Sequence, residues 1–167
     1  WDFTAHPFIK YKTSTGKLLD AYLQWEKVAN SRFNKVKENE EKLNEIFLDI
    51  YNVKGGFKSE VEEKDVTIYK AEKVRDVKSF LSYVVGCVLG RYNLDDLGNV
   101  YTGEVWDIDK YKTFTPVTDN CVVITDNEDY DEDIVYYLKK FLVTVFGENS
   151  LEENLAFISS SLNEKGK

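Results

Sequence analysis

The seven-residue recurrence of Tyr22, Ala29, Val36, Leu43 and Ile50 limits how this chain folds more than any other pattern in it. Side chains seven apart return to the same side of an α-helix after two turns, whereas in a strand they point to opposite faces. Leu18, Trp25, Phe33, Ile46 and Phe47 widen the stripe, and Lys, Glu, Asn and Gln fill the opposite face. One long helix is therefore predicted over residues 17–51, spanning roughly 50 Å at about 1.5 Å per residue. Residues 37–42 are nearly all charged, so this part of the helix is expected to project beyond a core. Gly55 and Gly56 end it.

The rest of the chain supplies partners for that helix. Val74, Val77, Leu81, Val84, Val88 and Tyr92 keep a three-four spacing and predict a second helix over 71–92. Ser82, Gly86 and Gly90 line it with small residues at i, i+4 and i+8. Gly inside a helix costs about 1 kcal/mol relative to Ala. Close packing against the long helix, near Trp25 and Phe33, gives that stripe a reason. A third helix is expected over 131–146, with Ile134, Leu138, Phe141, Leu142 and Val145 inward and Gly147 at its C-terminal end. Ser150 followed by Glu153 matches a capping box for a fourth helix that buries Leu151, Leu155, Ile158 and Leu162. Between these lie an irregular lead-in over 1–16 and a polar connector over 57–65. A brief β-branched stretch covers 66–69, an aromatic-rich loop runs through 93–120, and a short extended piece covers 121–124. The expectation is a mainly α fold. A long helix packs against a Gly-lined helix, two shorter helices close one domain over 1–167, and β structure is limited to short segments.

A chain of 167 residues can bury a core without disulfides or metals. It opens on Trp1 and carries no methionine, and so reads as a segment of a longer polypeptide. No signal peptide or membrane-spanning stretch is visible, and Cys87 and Cys121 are expected as reduced thiols in a cytoplasmic protein. The net charge of −8 argues against a self-sufficient nucleic-acid binder. The charge is uneven, however. Residues 1–42 hold eight basic and six acidic side chains, and residues 43–167 hold fourteen and twenty-four. Lys10, Lys12, Lys17, Lys27, Arg32, Lys35 and Lys37, interleaved with Tyr11, Tyr22 and Trp25, are therefore the candidates for contact with a DNA backbone. The competing reading is an ordinary solvated helix face.

Other motifs are weaker. Residues 126–133 hold six acidic side chains in eight, but no glycine falls where a calcium loop needs one. They read as a solvated cluster at a helix N-terminus. Glu40-Glu41-Lys42 and Glu62-Glu63-Lys64 each fit half of a metal-dependent nuclease site, which also needs a second carboxylate on a neighbouring element. His6 is the single histidine and, beside two distant cysteines, a poor start for zinc. Phosphate-binding loops are absent. No catalytic, cofactor or metal residue is assigned. A stand-alone module that dimerises through the long helix, or a small metal nuclease, remain alternatives.

Several stretches look familiar in order: Trp1-Asp2-Phe3 with His6-Pro7, then residues 39–51, then Gly86-Cys87-Val88-Leu89-Gly90-Arg91-Tyr92-Asn93-Leu94-Asp95. The acidic helix start at Asp131-Glu132-Asp133 follows, and last come Phe146-Gly147 and Leu151-Glu152-Glu153-Asn154-Leu155. Together they resemble the C-terminal part of the adenine-specific DNA methyltransferases of BREX phage-defence systems, often called PglX, and their type IIG-like relatives. The resemblance implies a parent enzyme that transfers a methyl group from S-adenosylmethionine to adenine in DNA. Its Asn-Pro-Pro-Tyr/Phe motif and cofactor loop lie upstream. Pro7 and Pro116 are the only prolines here, so no catalytic residue carries over. The implied role is a non-catalytic helical module that supports DNA recognition or complex assembly. Its implied partners are the rest of the methyltransferase, DNA through that parent, and other defence subunits.

Overall fold

The computed structural model describes residues 5–53, 55–95, 107–125 and 132–163. Among these residues the fold is mainly α, with α1 (Pro7–Lys10), α2 (Leu18–Ile50), α3 (Lys73–Val88), α4 (Ile134–Phe146) and α5 (Leu151–Asn163). They gather into two compact units, Trp1–Leu23 with Lys73–Lys167, and Gln24–Glu72. The sequence reads as one domain because the stripe on α2 is continuous, and a local periodicity does not say which neighbours each part of it meets.

The first unit is built around aromatic rings. Phe80 of α3 is fully buried and lies 5.3 Å from Phe8, 6.2 Å from Phe141 and 6.2 Å from Phe146, ring centre to ring centre. Phe114 meets Phe141 at 5.3 Å. Burying each such side chain contributes about 1.5–3 kcal/mol, and edge-to-face pairs add to that. The lead-in is less irregular than expected, because Pro7 sits at the first position of a helical turn and the His6 ring nitrogen accepts from the Phe8 amide at 3.2 Å. Residues 1–4 lie outside the described residues, and the fully buried Phe8 docks the lead-in.

The start of α2 shows how this unit is tied together. Its N-cap position is Lys17, which has no side-chain acceptor for the first amides of the helix. Asn154, buried in α5, replaces it. Its Oδ1 accepts from the Leu18 amide at 2.8 Å, and its Nδ2 donates to the Gly16 carbonyl at 2.9 Å. Gly16 takes φ +68°, and a Cβ there would lie 2.1 Å from the Phe146 carbonyl oxygen and 2.7 Å from Ser150 Oγ. Lys17 pairs with Glu153 at 2.8 Å. Lys12 Nζ donates to the Val145 carbonyl at 2.7 Å, near the open C-terminus of α4.

Several expected details are corrected. Ser150 does not form a capping box, since its hydroxyl donates back to the Phe146 carbonyl at 3.0 Å and Glu153 is taken by Lys17. The buried face of α5 is Asn154, Ile158 and Ser161, while Leu162 is exposed. The α3 helix stops at Val88, and Gly90 is a terminator instead of a packing residue. At φ +73° it allows the Arg91 amide to reach the Gly86 carbonyl at 2.8 Å and its own amide to reach Cys87 at 3.1 Å. This is the reverse-turn cap that favours glycine. The space beside Gly86 is filled by the Tyr92 ring, 2.5 Å from where a Cβ would be. Ser82 is exposed.

Of the loop over 93–120, residues 93–95 and 107–120 are described. Tyr111, Phe114 and Val117 are buried, and the Val117 amide reaches the Val88 carbonyl at 2.9 Å. Asp95 accepts from the Lys112 amide at 2.8 Å, from the Thr113 amide at 3.0 Å, and from the Thr113 hydroxyl. The extended piece near Val123 makes one isolated bridge to Asp133, which then caps α4 by accepting from the Tyr136 amide at 2.8 Å.

In the second unit, Ala29, Phe33 and Val66 are buried. Lys70 lies 4.9 Å over the Phe33 ring. No strand forms at 66–69: the segment follows a 3-10 turn, Glu63–Asp65, and Tyr69 is 80% exposed. A strand needs a partner ladder, and the described residues offer none here.

Two outcomes follow. Replacing Asn154 by Ala strands the Leu18 amide and the Gly16 carbonyl without partners, and urea unfolding should show a loss of about 2–4 kcal/mol. His6 is held neutral by burial, its pKa lowered from 6.5 to about 3. Between those values the unfolded chain takes up a proton that the fold refuses. His6's contribution is therefore complete above its unfolded pKa and is lost as pH drops, by up to about 1.4 kcal/mol per pH unit. Urea midpoints between pH 7 and 5 should fall accordingly, and His6→Asn, which keeps an acceptor at the N-cap, should flatten that slope.

Candidate functional site

The acid-rich triplets are occupied by structural work inside the second unit. Glu40 Oε1 accepts from the Thr67 amide at 3.3 Å and from its hydroxyl at 2.7 Å. Glu41 Oε1 accepts from the Val61 amide at 3.2 Å and sits 3.7 Å from Lys37. One helical turn on, Asn44 Nδ2 donates to the Ser59 carbonyl at 3.2 Å. Three neighbouring side chains of α2 therefore hold the backbone of the connector and of the stretch after it, where no ladder satisfies it. The other triplet divides its charges between Glu62 with Lys64 at 2.6 Å and Glu63 with Lys70 at 2.6 Å. The Lys70 ammonium beside Glu63 holds that carboxyl below its usual range. No group of three or more metal-ligating side chains converges among the described residues.

The proposed DNA-contact residues divide between the two units, Lys10, Lys12 and Lys17 in the first and Lys27, Arg32 and Lys35 in the second. Lys12 and Lys17 serve the contacts to Val145 and Glu153 described above. Lys35 pairs with Glu38 at 3.4 Å on the same helix. Lys10, Lys27 and Arg32 are exposed. Of the proposed packing residues, Phe33 is buried and Trp25 half-buried. Cys87 is buried, and desolvation pushes its thiol up to about 12, which makes it a poor nucleophile. Cys121 is exposed, with its amide bonded to Asp119. Residues 126–131 of the acidic run lie outside the described residues, and Glu132 accepts from the Tyr137 hydroxyl at 3.2 Å.

What periodicity alone missed is the far end of α2. Leu43, Ile46, Phe47, Ile50 and Tyr51 stay 52–71% exposed. Beside them lies a cleft of about 370 Å³ lined by Asn44, Phe47, Leu48, Tyr51, Val53, Phe57 and Lys58. An apolar stripe ordinarily signals burial, so the sequence could place these residues on one face but not expose them. No helix among the described residues is long and apolar enough to cross a membrane. The exposed side chains and the cleft together form an apolar surface at this end of α2.

No protein-family profile matches the chain. It is 45% identical over 148 residues to the adenine-specific methyltransferase PglX of Lacticaseibacillus casei (strain Zhang), covering 87% of this chain and 12% of that protein. It is 29% identical over 188 residues to the adenine-specific methyltransferase BrxX of Escherichia coli O9:H4 (strain HS), covering 97% of this chain and 15% of that protein. The chain thus spans only 12–15% of the length of these relatives. Helices placed by an aromatic core, carboxylates committed to backbone ties and an open apolar face are therefore features of one region of a far larger protein type, and the chain belongs to the PglX-like adenine-specific methyltransferases of BREX systems as such a region.

Proposed function

We propose that this chain is a non-catalytic helical module of an S-adenosylmethionine-dependent N6-adenine DNA methyltransferase acting in phage defence or restriction-modification. It supports DNA recognition or the assembly of the complex. The observation that carries this reading is 45% identity across nearly the whole chain to a stretch amounting to 12% of PglX. A methyltransferase needs a cofactor cradle and a base-flipping pocket. The resemblance implies that those lie upstream of this region, and Glu40 and Glu41, which fit half of a nuclease motif, bond to backbone amides here.

Of the two supporting roles, assembly has the stronger physical case. The net charge is −8, and Lys12, Lys17 and Lys35 already have protein partners. A phosphate-tracking surface needs several free cations, and its affinity drops steeply with salt. Exposed Lys27 and Arg32 are the candidates for a DNA-backbone contact made alongside the parent's reading domain.

The test uses the Lacticaseibacillus casei PglX gene with its matching region either deleted or replaced by this chain. Genomic N6-adenine methylation is then read by long-read sequencing. Deletion should lower modification at the recognised sites at least tenfold, and the graft should restore it. Full methylation by the deleted enzyme would remove the proposed role.

A further inference from the structure

We infer that the exposed apolar face at the end of α2 is the surface by which this module docks onto the remainder of its own methyltransferase polypeptide. Its occupant is an apolar helix face lying outside the region matched here. The inference rests on the module reading above and names its partner.

Leu43, Ile46, Phe47 and Ile50 fall at i, i+3, i+4 and i+7, which places them on one side of the helix, and Tyr51 stacks on Phe47 with ring centres 6.4 Å apart. Phe57, 67% exposed, also lines the cleft. At their stated exposures these six side chains offer on the order of 600 Å² of surface. The largest apolar patch on an ordinary monomer is about 300–600 Å², and one side of a standard interface is about 800 Å². The face thus matches the largest patch of an ordinary monomer and supplies roughly three quarters of one side of a standard interface.

Its chemistry selects the occupant. The charged residues of the stretch 42–58, Lys42, Glu45, Asp49, Lys54 and Lys58, leave a net of +1, too little to hold a phosphate backbone. An amphipathic helix presenting aliphatic side chains at matching spacing fits such a cleft. The matching stretches are 12% and 15% of the relatives, so in those proteins this region is covalently joined to a much larger polypeptide. That tether presents a docking partner at millimolar effective concentration. A second copy of the chain has no such advantage.

The experiment compares amide hydrogen exchange over residues 43–51 in the isolated 167-residue chain and in the full-length graft, each with and without Ile46→Glu and Ile50→Glu. Exchange should be at least tenfold slower in the graft, and the double variant should remove the difference. The same variant should leave the melting temperature of the isolated chain within about 3 °C, since both side chains face solvent there. Equal exchange in graft and isolated chain overturns the inference. So does a concentration-dependent slowing in the isolated chain, which indicates a second copy, or a larger drop in its melting temperature, which indicates cover from within the chain. Failure of the module reading appears separately, as methylation that survives deletion of the region.

Discussion

The first unit depends on one buried amide. Asn154 gives an acceptor to the Leu18 amide and a donor to the Gly16 carbonyl, and so joins α5 to the start of a helix 136 positions earlier in the chain. A helix N-terminus buried without a cap leaves orphan donors, each a cost of about 1–3 kcal/mol. Lys17 cannot supply the cap, so the arrangement works only if α5 arrives in one rotational setting. That setting in turn requires Gly16 to pass within contact of Phe146 and Ser150, where any side chain would collide. The aromatic cluster around Phe80 supplies most of the burial energy, but rings can slide against one another. The paired hydrogen bonds of Asn154 select one packing among many that would bury the same rings.

A similar substitution of side chain for regular structure operates in the second unit. The connector has no ladder of its own, and Glu40, Glu41 and Asn44 bond to its backbone. Such partly exposed ties are individually weak. The buried contribution comes from Phe33 and Val66, with Lys70 over the Phe33 face. Carboxylates at this spacing resemble a metal site when read along the chain. In space their lone pairs are aimed at amide hydrogens, and a metal would have to compete with the backbone for them.

These commitments bear on function. Among the described residues, Glu40 and Glu41 hold backbone of their own chain, the histidine is kept neutral by burial and the buried thiol is raised far above neutrality. What remains available is surface, above all the apolar end of α2. The chain matches 12–15% of much larger methyltransferases, and regions of such long polypeptides commonly meet one another through surface contacts.

Residue order alone determined the helices, because a 3.6-residue period is local and survives without knowledge of neighbours. The stripe from Leu18 to Ile50, the inward Phe141 and Leu142, and Gly147 at the end of α4 were all legible in it. The family was legible too, in the stretch from Gly86 to Asp95. Tertiary structure decided the rest. It buried Asn154 and Ser161 where hydrophobicity pointed to Leu162, because a polar group is welcome inside once its hydrogen bonds are met. It made Gly90 a helix terminator and gave the flank of Gly86 to Tyr92. Lys12 and Lys17 became structural ties rather than free cations. Which part of a continuous apolar stripe is covered depends on contacts between residues far apart in the chain, and periodicity carries no record of those.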